Sequence, residues 1–229
     1  KAAKERLLKS DPPALVHKSR IDLIEVGNIR DDFNRLADCD WIVEAVVERL
    51  DIKKDLYKRL NEVIDTECVV TSNTSTIPIS LLVEDMPMEF RKRFAITHYF
   101  NPVRYMRLLE LVRGADTDES IMDSLADFND TVMGKGVVRC NDTPGFLGNR
   151  VGVFALQVGM DEAAKNNLTV EEADALMGRP MGIPKTGVFG LYDLIGVDLM
   201  SDVVDTLGDI LPSEDLFHAV GTLNNPVMP

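Results

Sequence analysis

The stretch WIVEAVVERLDIKKDLYKRLNEVIDTECVVTSNTS, Trp41 to Ser75, decides the fold class. It opens on a short apolar run, Trp41-Ile42-Val43, that ends in Glu44, the pattern of a buried strand. From Asp51 the apolar residues change period. Ile52, Leu56, Leu60 and Val63-Ile64 fall on one face of an amphipathic helix. A second apolar run, Cys68-Val69-Val70-Thr71, gives way to the polar turn Ser72-Asn73-Thr74-Ser75. Strand, helix and strand at this spacing read as a βαβ unit with its two strands parallel.

The alternation continues outward. A short helix is expected from Pro78 to Val83, a strand at Phe94-Ala95-Ile96-Thr97, another from Leu108 to Val112, and a last strand from Gly136 to Cys140. Between the last two, Thr117 caps a helix that carries Ile121, Leu125, Phe128 and Val132 in register. Together these predict a parallel, doubly wound α/β sheet. On the N-terminal side, the first ten residues read as a charged helix stopped by Pro12-Pro13. Beyond Cys140 the pattern turns helical. Asp142-Thr143-Pro144 reads as a cap with proline in the first turn of a long helix reaching Ala163. Thr169-Val170-Glu171-Glu172 is a capping box, and the remaining helices break at Pro180, Pro184 and Pro212. The expected organisation is an α/β domain over residues 1–140 and an all-α domain over 141–229.

Composition bounds the partners. The chain has 229 residues, 45% of them hydrophobic, enough for a real core. Its 25 basic and 38 acidic residues give a net charge of −13, which argues against nucleic acid or an anionic membrane as main partner. The longest apolar runs, such as Val151–Leu156, are far too short to cross a bilayer. Cys39, Cys68 and Cys140 are widely spaced without a CxxC, which suits reduced thiols and a cytoplasmic setting. No initiator Met or signal peptide stands at the start, and the chain is expected to be a fragment of a longer protein.

In an open sheet, ligands bind beyond the carboxyl ends of the strands. Glu44 and Glu48 follow the first strand, Ser72–Ser75 the second and His98 the third, so three strand ends point to one crevice. Glu110 stands alone between Leu108-Leu109 and Leu111-Val112, where an apolar strand rarely holds a carboxylate without a partner. If the strands are neighbours, Glu110 can orient the His98 imidazole for proton transfer. The same pattern also fits a purely structural His–Glu pair at a strand edge. His17 and His218 have ordinary surface contexts, and no metal-ligand spacing occurs. No GxSxG elbow is present. A dinucleotide-type glycine turn is missing too: Gly134-Lys135-Gly136 follows a helix and precedes a strand, the reverse of what such a turn requires.

Six motifs in order resemble the 3-hydroxyacyl-CoA dehydrogenases of fatty-acid β-oxidation. They are Asp40–Glu48 (DWIVEAVVE), Ser72–Ser75 (SNTS), His98–Pro102 (HYFNP), Leu108–Val112 (LLELV), Asp142–Arg150 (DTPGFLGNR) and Asp193–Asp198 (DLIGVD). The resemblance implies a Rossmann-like NAD domain followed by a helical domain that makes a homodimer, with the active site between them. It implies oxidation of an L-3-hydroxyacyl-CoA with NAD as cofactor. His98 matches the family's catalytic histidine and Glu110 the carboxylate that orients it. Ser75 and Asn149 match polar residues near the substrate oxygen and nicotinamide. Glu48, Lys53 and Asn101, with Ser75, match cofactor-contacting positions. Taken singly, each has a plain structural role: a turn for Ser75 and Asn101, a helix surface for Lys53 and Asn149.

The basic N-terminal helix, with Lys1, Lys4, Arg6 and Lys9, stands where the family has an arm touching CoA, and equally suits a solvated charged face. The family's first βαβ unit, with its glycine turn and ribose-binding acid, has no counterpart from residue 1 onward. The chain alone is therefore expected to bind NAD poorly or not at all. Met177–Thr186 (MGRPMGIPKT) looks like the long bacterial forms that carry a fused enoyl-CoA hydratase module. Two other functions remain open: a catalytically silent helical dimerisation module, and a dehydrogenase of a free 3-hydroxy acid.

Overall fold

A computed structural model describes residues 2–183 and 185–220. Helix α1 (Ala2–Lys9) leads, as the sequence predicts, with Lys4, Arg6 and Lys9 on a helix that buries no residue; Lys1 lies outside the described residues. Two short 3-10 turns then lead to strand β1 (Trp41–Glu44), helix α2 (Leu50–Val63) and strand β2 (Val69–Ser72). The short helices α3 (Ile79–Leu82) and α4 (Met88–Lys92) precede β3 (Phe94–Tyr99) and β4 (Leu108–Arg113). Helix α5 (Glu119–Asp127) and a π-turn (Phe128–Val132) lead to β5 (Gly136–Asn141).

The five strands make one sheet in sequence order, β1-β2-β3-β4-β5. The expected all-parallel sheet needs correction. β1, β2 and β3 run parallel, as do β4 and β5, but β3 and β4 are antiparallel. Only residues 100–107 join β3 to β4, and a parallel connection needs a longer crossover. The antiparallel register sets His98 directly opposite Glu110.

Both faces of the sheet are covered. On one, Tyr57, Leu60, Ile79, Leu82 and Phe90 pack on Val70, Phe94, Ile96 and Val112. On the other, Met122 and Leu125 of α5 meet Ala95 and Leu111, following the alternation of side chains along a strand. The buried stripe of α2 runs through Lys53, Tyr57, Leu60 and Ile64, slightly rotated from the expected apolar face, because the polar tips of Lys53 and Tyr57 turn inward to Glu44.

Three local expectations also change. Thr117 does not cap α5: its hydroxyl donates to the Phe94 carbonyl and accepts from the Gly114 N–H, and Asp118 holds the cap position. Phe128 and Val132 leave the register and are exposed, because the helix widens to i→i+5 bonding where the buried Asn129 amide donates to the Leu125 carbonyl. Asp142 does not start the long helix. Its carboxylate accepts from Ile79 and Ser80 N–H groups (2.9 and 3.2 Å) at the start of α3.

The helical half is as expected in kind. It comprises α6 (Gly148–Lys165), α7 (Val170–Leu176), α8 (Phe189–Ile195) and α9 (Val197–Ile210), around a core that includes Val153, Met160, Ala163, Phe189, Tyr192, Val204 and Leu207. Thr169 and Glu172 form the predicted capping box at α7. Pro180 sits inside a 3-10 turn (Arg179–Met181), Pro212 follows α9, and Pro184 and residues 221–229 lie outside the described residues. The three cysteines are unpaired thiols, and no described helix is long and apolar enough to cross a membrane.

Candidate active site

His98 ends the apolar part of β3, where the chain is about to leave the sheet, so its ring stands at the carboxyl edge. The residue is 7% exposed, and its Nδ1 lies 2.7 Å from Glu110 Oε2. Glu110 is fully buried, and its other oxygen accepts from the backbone N–H groups of Leu147 (2.8 Å) and Gly148 (2.6 Å). Those two N–H groups open α6, where no intrahelical acceptor exists for them. The carboxylate therefore satisfies the first turn of the helical half while gripping the histidine of the α/β half. The thiol of Cys140 is 3.8 Å from the same oxygen.

This donor set fixes the protonation states. Burial pushes the Glu110 carboxyl up, but the His98 bond and the two N–H groups outweigh it, and the group titrates below the ordinary carboxylate value. A carboxylate can only accept, so Nδ1 of His98 carries a hydrogen and Nε2 is the ring nitrogen that Glu110 leaves unengaged. Phe100 and Phe146 hold the ring from the sides, at centroid distances of 4.5 and 5.9 Å. An imidazole oriented by a buried anion, with its second nitrogen turned away from that anion, has the arrangement that general acid–base chemistry uses.

A second cluster closes the ends of β1 and β2. Buried Glu44 accepts from Lys53 Nζ (2.8 Å), the Tyr57 hydroxyl (2.6 Å), the Ser72 hydroxyl (2.7 Å) and the Val46 N–H (2.6 Å). Burial raises its pKa, and these bonds more than reverse the effect, so the net shift is downward. Lys53, whose side chain is 1% exposed, also reaches Glu48 Oε2 at 3.1 Å. Glu48 accepts from the hydroxyls of Thr74 and Thr76, and its side chain is 41% exposed. Asn73 ties β2 to β3 by accepting from the Tyr99 N–H (3.0 Å).

Of the residues singled out in the sequence, His98 and Glu110 meet, and Glu48 and Lys53 meet. Asn149 is half-buried one residue past Gly148 in the first turn of α6, and Ser75 is half-buried in the turn after Thr74. Asn101 is exposed on the loop after β3 and joins neither cluster. His17 hydrogen-bonds Ser19, and His218 lies near the Leu211 carbonyl, away from both. Sequence reasoning missed the N–H groups of Leu147 and Gly148 as partners of Glu110. One signal was available: a glycine at the start of a helical run marks a close approach. A Cβ on Gly148 would fall 2.6 Å from Phe100 Cζ and 3.4 Å from Glu110 Oε1.

Fold and site together define a Rossmann-like domain with a histidine–carboxylate pair at its carboxyl edge, closed by the first turn of a helical unit. Residues 2–143 match the family model of the 3-hydroxyacyl-CoA dehydrogenase NAD binding domain, and residues 145–223 that family's C-terminal domain. The chain belongs to the 3-hydroxyacyl-CoA dehydrogenase family, whose cofactor is NAD. It is 40% identical, over 100% of its length, to a Rickettsia felis protein described as a fatty acid oxidation complex trifunctional enzyme, and 38% identical over 99% to a 3-hydroxyacyl-CoA dehydrogenase of Deinococcus radiodurans. The chain spans 32% of the first relative and 66% of the second. Among solved structures it resembles M. tuberculosis FadB2, with a TM-score of 0.81 and 31% identity over 91% of this chain and 74% of that one.

A partly exposed carboxylate beside hydroxyls is chemistry that fits the hydroxyl groups of NAD. Glu48 offers an exposed acceptor beside two hydroxyls, at the same sheet edge as His98. The β1–α2 turn, Ala45–Arg49, holds no glycine and makes no cradle for the diphosphate.

Proposed function

We propose that this chain carries the acid–base site of an NAD-dependent L-3-hydroxyacyl-CoA dehydrogenase of fatty-acid β-oxidation. The observation that carries the proposal is Glu110, held by three donors and aimed at His98 Nδ1. NAD, when bound, supplies the hydride acceptor for C3 of the substrate. The chain's own task is the proton. His98 Nε2 takes it from the 3-hydroxyl as the C3–O bond becomes a carbonyl, and Glu110 stabilises the imidazolium that results. In the reverse direction the same nitrogen returns the proton to the alkoxide.

Ser75 and Asn149, from the β2 turn and the start of α6, are suited to hold the substrate oxygen and the nicotinamide from either side of the dyad. Glu48 takes ribose hydroxyls. Lys53, lying beneath Glu48, fixes that carboxylate, and Asn101 approaches from the loop. The relatives' names support the thioester substrate and the pathway, and the Rickettsia relative supports a multifunctional assembly. A homodimer through the helical unit agrees with exposed Leu194 and Leu199 there.

Oxidation of NADH by acetoacetyl-CoA, followed at 340 nm, tests the reading. A His98→Gln variant should lose roughly 10²- to 10⁴-fold in kcat with little change in stability. Wild-type turnover in that variant would sink the proposal. A parallel panel of free 3-oxo acids decides whether CoA is required.

A further inference from the structure

Lys135, in the Gly134-Lys135-Gly136 turn that the proposed chemistry does not use, is a buried cation without an anion. It is 5% exposed, and among the described residues no carboxylate pairs with it. An ammonium in that position is costly unless its donors are met. Two of them are: Nζ donates to the carbonyls of Val103 and Met106, the latter at 2.9 Å. The remaining side of the ammonium lies 5.8 Å from the centroid of the Tyr99 ring, within reach of a cation–π interaction.

The surroundings hold this cation firmly. The Tyr99 hydroxyl donates to Asn129 Oδ1 (2.6 Å), and the fully buried Asn129 receives the Lys135 N–H on its backbone carbonyl (2.8 Å). The Gly136 N–H donates to the Arg107 carbonyl (2.7 Å). Three carbonyls of one loop are thus fastened to one turn. That loop, residues 100–107, is the short connection between the strand of His98 and the strand of Glu110. Its first residue, Phe100, packs on the His98 ring. The loop exposes Val103, Tyr105 and Met106 and carries Asn101, also exposed.

We propose that Lys135 is a positioning residue that fixes loop 100–107 as one wall of the ligand cleft. Its ammonium sets where the carbonyls of Val103 and Met106 stand, and so where the far part of the loop meets ligand, without touching the reacting atoms. The proposal rests on the functional reading above for its kinetic consequence and stands apart from it for its structural one.

Two measurements on the same variants separate the two. In Lys135→Met and the milder Lys135→Gln, amide hydrogen exchange in residues 100–107 should quicken roughly tenfold while strands β3 and β4 keep their protection. Lys135→Arg, which retains the charge and donors, should restore most of it. In turnover, KM for acetoacetyl-CoA or NADH should rise roughly five- to tenfold with kcat within about twofold and the pH profile unmoved. Unchanged loop exchange in Lys135→Gln would overturn the proposal, as would faster exchange spread evenly over α5 and β5, or a fall in kcat at constant KM. Hydrogen exchange judges the clamp whether or not the wild-type chain turns over, so failure of the clamp and failure of the dehydrogenase reading are told apart.

Discussion

At the scale of single residues, the site depends on a carboxylate that accepts from both halves of the molecule. Glu110→Gln tests this with almost no change of shape. A glutamine has one acceptor oxygen, so its NH₂ must face either the Leu147 and Gly148 N–H groups or the histidine Nδ1–H. Either one donor is left facing another, at a cost of about 1–3 kcal/mol that urea unfolding would register, or the imidazole carries its hydrogen on Nε2 and accepts from the amide at Nδ1. The ring also loses the anion that fixes its tautomer, and kcat should fall by roughly 10²-fold or more. A variant with full activity would show the pair to be structural only. Glu110 itself was legible as a lone acid in an apolar run. Its two backbone partners were not, because they lie 37 and 38 residues away and only folding brings them close.

At the scale of elements, the start of α6 matters most. The sequence places a cap at Asp142 and a helix directly after it, but the helix begins at Gly148. Asp142 serves α3 instead, and the chain turns through Phe146 at a φ of +47° before the helix opens against Glu110. A helix start with unmet N–H groups moves to the strongest acceptor available, here a buried carboxylate rather than its own local cap. Gly148→Ala tests the closeness of that approach. The added methyl would overlap the Phe100 ring edge, so either the ring or the first turn of α6 must shift. Overpacking of this kind costs about 1–3 kcal/mol. The Phe100 shift would disturb the His98 ring, so a fall of roughly tenfold in kcat/KM should accompany the drop in Tm. A variant that lost stability but kept kcat/KM would show the contact to be packing alone.

At the scale of the whole molecule, two buried carboxylates set the response to acid. Glu44 and Glu110 both titrate below the ordinary carboxylate value in the folded chain. On acidification the unfolded state therefore binds their protons first. The stability they contribute is full above the ordinary carboxylate range and is lost as the pH falls through their lowered folded values. The urea midpoint should stay level near neutrality and drop steadily below about pH 5. In Glu44→Gln the acid dependence should be shallower. That variant should also be less stable at pH 7 by on the order of 3 kcal/mol, since Lys53 stays buried with only Glu48 as anion. A midpoint that rose between pH 7 and 4 would contradict the assignment.

The sequence alone determined the strand and helix periods and the family, because hydrophobic period and short motifs are local and survive in a linear reading. It also marked Glu44 and His98 as polar residues at strand ends and Glu110 as a lone acid in an apolar run. Tertiary structure decided what those residues do. The short β3–β4 link forces an antiparallel pair that sets histidine against glutamate. The helical half supplies two donors to that glutamate. Lys53, which a linear reading takes for a helix surface, and Lys135 are both buried cations, one held by acids and one by carbonyls. Contacts between residues far apart in the chain leave no period behind them, so only the folded backbone could reveal them.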